Sequence, residues 1–118
     1  MPTSAWHQLK SKHDIDVYSY LDLGSNKFVD WESVTLFYSA LHLVDAYLVG
    51  TYGIQPSNHR LRNNYVNMYL RSIRLEYLFI YNLSKKSRYM ATVSIQERDR
   101  AKVHFNSIST FFKAGLSV

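Results

Sequence analysis

Cysteine is absent from this 118-residue chain, which excludes a disulfide framework, a thiolate nucleophile and any zinc site built on thiolates. Glycine and proline are scarce, at four and two residues, so the few breakers themselves outline the elements between them. No stretch approaches 18 uninterrupted apolar residues, and residues 1–14 have no apolar segment of the kind a signal peptide needs. The expectation is a cytoplasmic chain with no membrane partner. Five histidines are present without an HExxH pair, so no metal site and no cofactor are predicted. Neither a Gly-rich phosphate loop, a GxSxG elbow nor a paired-carboxylate arrangement occurs, which leaves nucleotide hydrolysis, ester hydrolysis and glycosidase chemistry without support.

What is present points to one helical domain spanning residues 1–118. Apolar residues make up 47% and aromatics 15%, including ten tyrosines, enough to fill a core. At this length folding hides about 65% of the surface that the unfolded chain exposes. The formal net charge is +5, which makes an anionic partner such as nucleic acid worth testing for.

Helical spacing of apolar residues predicts a first helix over residues 4–21 and a loop around Gly24-Ser25-Asn26. A second, central helix is predicted over residues 31–49, with Asp30 as its cap, a stripe of Val34, Phe37, Leu41, Val44 and Leu48, and Gly50 and Gly53 closing it. Ser57 is positioned to cap a third region, which is too long for one globular helix and should break within residues 67–71. Beyond the break, Leu70, Ile73, Tyr77 and Ile80 continue at helical spacing. Ser94-Ile95-Gln96-Glu97 is a capping box that opens the last helix, whose stripe is Ala101, Phe105, Ile108, Phe112 and Leu116, with Gly115 near its end. The predicted fold is all-α, an antiparallel four- to five-helix bundle.

Three constellations could carry chemistry. Arg98 is expected on the exposed first turn of the last helix, with Arg100 and His104 sharing a face at i, i+4; an arginine to hold phosphate and a neutral histidine as base are what metal-independent RNA transesterification requires. His42, together with His59 and Arg62 at a capped helix start, could form an anion pocket, or could simply satisfy hydrogen bonds across the bundle. Arg71, Arg74, Lys85 and Arg88 fall on one helical face with Leu78 and Tyr81 between them, a pattern that suits a phosphate backbone and an unstacked base, or a plain solvated face.

The segment Phe37-Tyr38-Ser39-Ala40-Leu41-His42-Leu43-Val44-Asp45-Ala46-Tyr47-Leu48 resembles the helix carrying the Tyr-Tyr-Ala-x-Phe-His-x-Ala pattern of HEPN domains. Leu83-Ser84-Lys85-Lys86-Ser87-Arg88-Tyr89 is similar to that family's Arg-x-x-Ala-Asp-Tyr segment, and residues 97–112 to its amphipathic final helix, so the resemblance covers residues 31–113. It implies a HEPN-like bundle, a homodimer, and a role in a prokaryotic toxin–antitoxin or defence system with RNA or a cognate protein as partner. Active members are metal-independent endoribonucleases with an Arg, four to six residues and a His; Arg98 and His104 match that spacing, although Asp99 stands where a neutral polar residue is usual. The resemblance thus implies either an RNA-binding module, cutting RNA if active, or a non-catalytic, antitoxin-like homodimeric interaction domain.

Overall fold

The computed structural model describes residues 2–23, 26–89 and 92–116, with the side chains of 115 and 116 not included. Gly24, Ser25 and the Leu116 side chain, all part of the expectations above, lie outside the described residues. The chain folds as an all-α bundle of α1 (Ser4–Leu21), α2 (Val29–Tyr52), α3 (His59–Tyr69), α4 (Arg74–Tyr89) and α5 (Ile95–Leu116), with a short 3-10 turn at Arg71–Ile73 ahead of α4.

The centre is α2, which packs against α1, α4 and α5. Leu36, Phe37, Ala40, Val44 and Leu48 are fully buried along it and meet Tyr77 and Ile80 of α4 and Ile108 of α5. By length and composition α2 could cross a membrane, but more than half of its most apolar window is buried inside the bundle. It begins at Val29, earlier than expected, with Phe28 as a cap residue that makes no side-chain cap bond. Asp30 therefore lies inside the first turn, where it and Glu32 complement the positive end of the helix dipole.

The other end of α2 is also longer than expected. Gly50 is helical, and its bare backbone admits Ser4: a Cβ there would stand 3.1 Å from Ser4 Oγ, which donates to the Ala46 carbonyl at 2.8 Å. Gly53 then ends the helix in the left-handed region at φ 67°. This close approach lets α1 dock on α2 through small polar groups. Ser11 Oγ donates to the Ser39 carbonyl and Ser39 Oγ to the Ser11 carbonyl, each at 2.8 Å.

Asn58, in extended backbone, caps α3 in place of Ser57, its Oδ1 accepting from Leu61 N at 2.9 Å. The break falls at Leu70, which leaves helical geometry to bury its side chain. The capping box forms as read: Glu97 N donates to Ser94 Oγ and Ser94 N to Glu97 Oε1, both at 3.0 Å.

Candidate functional site

Two polar clusters are built into this apolar frame, each around a buried arginine. The first joins α1, α2, the α2–α3 loop and α3. Asp45 is 1% and Arg62 6% exposed, and they pair through two hydrogen bonds, Nε to Oδ1 at 2.7 Å and Nη2 to Oδ2 at 3.0 Å. Gln55 Nε2 also donates to Asp45 Oδ2 at 3.2 Å, which leaves Gln55 Oε1 to face His7 Nε2 at 2.7 Å. His7 Nδ1 in turn lies 2.9 Å from His42 Nδ1. On the other side, Arg62 Nη1 reaches His59 Nδ1 at 3.3 Å.

The protonation pattern follows from the partners. A carboxylate only accepts, so Gln55 turns its amide nitrogen to Asp45 and its oxygen to His7, which donates from Nε2; between His7 and His42 one Nδ1 donates to the other. Burial, reinforced by the neighbouring His7, pushes His42 down to about 4 from an ordinary value of 6.5, so its ring is neutral at pH 7. His59 is lowered too, by burial first and then by the Arg62, Arg88 and Lys85 charges. The sequence left His42, His59 and Arg62 as either one anion pocket or plain hydrogen-bonding groups across the bundle. The structure does join them, but with Arg62 engaged by Asp45 and His42 bonded across to α1.

Beside this cluster, α3 meets α4 in a cationic and aromatic face. The His59 ring packs 5.6 Å from both Phe37 and Tyr81, and Lys85 Nζ lies 5.3 Å from the Tyr81 centroid. Arg88 Nη1 donates to the Tyr38 hydroxyl at 3.3 Å and its guanidinium sits 5.6 Å over Tyr89. Arg71 and Arg74 are exposed, but Arg74 sits at the far end of α4, about 16 Å along the axis from Lys85 at 1.5 Å per residue, and Arg71 lies beyond it in the 3-10 turn. The four basic residues therefore form two groups, and the one near His59 is Lys85 with Arg88.

The second buried arginine corrects the catalytic expectation. Arg98 is not on an exposed turn: it is 5% exposed, and its guanidinium donates to Asp99 Oδ1 at 2.8 Å, Asp22 Oδ1 at 3.2 Å, Glu32 Oε2 at 2.5 Å and Asn26 Oδ1 at 3.0 Å. The α1–α2 connection folds over it, and four acceptors take up four of its five N–H donors, so almost none of this buried group is left for a phosphate. Six residues along α5 also turn His104 about 120° away from it. His104 packs half-buried and edge-on against Phe79 at 5.0 Å, and Arg100 lies 5.9 Å over the same ring, so those two share a face as their spacing required.

His7, Gln55, Asp45, Glu32 and Tyr38 take part in these clusters without having been singled out from the sequence. Asp45 had a signal, standing one turn after His42; Gln55, in a loop, had none. Among the described residues no group of three His, Cys, Asp or Glu side chains is placed to hold a metal ion. No family model, no characterised protein and no solved structure matches the chain.

Proposed function

We propose that this chain is a HEPN-like helical module that binds single-stranded RNA through the face where α3 meets α4, without cutting it. One observation carries the reading: Lys85 and Arg88, two cations for a phosphate backbone, stand beside His59 and the ring of Tyr81, on which an unstacked base could pack. The central position of the segment 37–48, on which the resemblance rests, supports the HEPN-like part. Against cutting stands the state of Arg98. Base-assisted attack by a 2′-hydroxyl needs a cation free to meet the phosphate, and this guanidinium is already held by Glu32, Asp22, Asn26 and Asp99.

The test is a pair of assays on one single-stranded RNA oligonucleotide. Binding should weaken steeply with salt, and incubation in EDTA should leave the RNA intact to the same degree with wild type and His104→Ala. EDTA-resistant cleavage that disappears in His104→Ala would overturn the non-catalytic reading, since a contaminating ribonuclease would ignore the substitution.

A second reading, a homodimeric interaction domain, is favoured by an open groove of about 570 Å³ between the start of α4 and the second half of α5. Its lining mixes Ile73, Val103 and Phe111 with polar groups that include Glu76, Asn106 and Thr110, and Val103 is exposed within it. Sedimentation of the wild type against Val103→Glu distinguishes this reading: a dimer split by the substitution supports it, and a monomer in both cases removes it.

A further inference from the structure

We infer that His59 contacts a phosphate oxygen as a neutral hydrogen-bond donor, with the buried Asp45–Arg62 pair acting as a positioning device that fixes its tautomer. The contact deepens the RNA reading above and rests on it for the source of the phosphate; the tautomer does not.

The argument begins at Asp45. Its carboxylate takes two hydrogen bonds from Arg62 and one from Gln55, which holds the guanidinium plane in place. That leaves Arg62 Nη1 directed at His59 Nδ1, 3.3 Å away. A guanidinium has no lone pair to offer, so Nδ1 must be the unprotonated nitrogen and the ring proton must sit on Nε2. Nε2 has no protein partner among the described residues, so the donor that the ring presents is unused.

Burial first, and then the charges around the ring, keep it in that form. Arg62 of α3 and Lys85 and Arg88 of α4 all disfavour an imidazolium, while the acid that favours one, Asp45 of α2, is already engaged by Arg62. The remaining neighbours on its two flanks are the rings of Phe37 and Tyr81. A neutral Nε2–H beside two cations suits a phosphate oxygen: the cations supply charge, and the single directional donor fixes where one oxygen sits. The same acid, through Gln55, also makes His7 Nε2 a donor, so one buried carboxylate orients an imidazole on either side of it.

The test uses imidazole nitrogen NMR on the whole chain, free and then with inorganic phosphate and with a single-stranded RNA oligonucleotide. Free protein at pH 7 should show His59 Nδ1 in the lone-pair range and Nε2 protonated. An imidazolium, or a proton on Nδ1, overturns the inference whatever the RNA does. Added phosphate or RNA should shift the His59 Nε2–H resonance. A shift with phosphate but no binding of RNA would remove the RNA reading and keep this one; no shift with either would overturn this one. His59→Ala should weaken the bound ligand about fivefold, as expected for one hydrogen bond, whereas His59→Gln, which can present an amide donor, should stay within about twofold. Equal losses in both variants would assign His59 to packing alone and overturn the contact.

Discussion

Two buried arginines, Arg62 and Arg98, occupy opposite situations although each pairs with a buried acid. Arg98 is surrounded: four acceptors from the α1–α2 connection, α2 and its own helix take up four of its five donors, and the result is a tie between α5 and the start of α2. Arg62 pairs with Asp45 on one edge and passes a hydrogen bond from the other edge to His59, next to Lys85 and Arg88. The lesson is that a guanidinium at a motif spacing becomes a functional group only if its neighbours leave it a donor to use. Arg98 matches a catalytic spacing and serves the fold; Arg62 is as deeply buried but shapes a surface.

The largest effects should come from breaking each tie. Arg98→Ala strands the Glu32 carboxylate in the core and should cost about 3 to 5 kcal/mol in urea denaturation. A loss under about 1 kcal/mol would mean that Arg98 is available for other work after all. Next is the acid response of His42. His42 has a folded value of about 4, below the 6.5 of the unfolded chain, so the fold prefers the neutral ring. Its contribution is complete above about pH 6.5 and is lost as pH falls toward 4, about 3 kcal/mol in all. Stability curves for wild type and His42→Gln should therefore converge over that window, and parallel curves would show that His42 does not titrate as described.

Smaller effects separate local from long-range devices. Ser94→Ala removes one half of the capping box and should cost about 1 kcal/mol, with thermal denaturation as the readout. Tyr77 gives the opposite sign. Its hydroxyl is buried near Asp45 and Arg62 without a hydrogen-bond partner among the described residues, and burial raises its pKa above the ordinary tyrosine range. Tyr77→Phe should be neutral or stabilising by up to about 1 kcal/mol; a clear destabilisation would mean that the hydroxyl has a bound partner such as water.

What could be read in the sequence was what is local in it. The capping box, the α2 stripe, the glycine stop at Gly53 and the break at Leu70 all depend on residues within a few positions of each other. The Arg98 tie was illegible because Glu32 is 66 positions away, and first turns of helices usually face solvent. The basic stripe was legible as a spacing but not as a distance. A 3-10 turn holds Arg71, and the length of α4 separates Arg74 from Lys85 and Arg88. His59 and Arg62 could be placed on one face by their i, i+3 spacing, but the Asp45 that orients both is contributed by another helix, 17 positions before Arg62.

The central claim, an RNA-binding face at the junction of α3 and α4, is tested most directly by the salt dependence of single-stranded RNA binding in wild type and a Lys85→Gln/Arg88→Gln double variant. Each lost phosphate contact should reduce the slope of log K against log salt by about 0.7, so the variant should bind more weakly with a slope shallower by about 1.4, while unfolding at the same denaturant concentration as wild type. A double variant with the same affinity and the same slope as wild type would contradict the account.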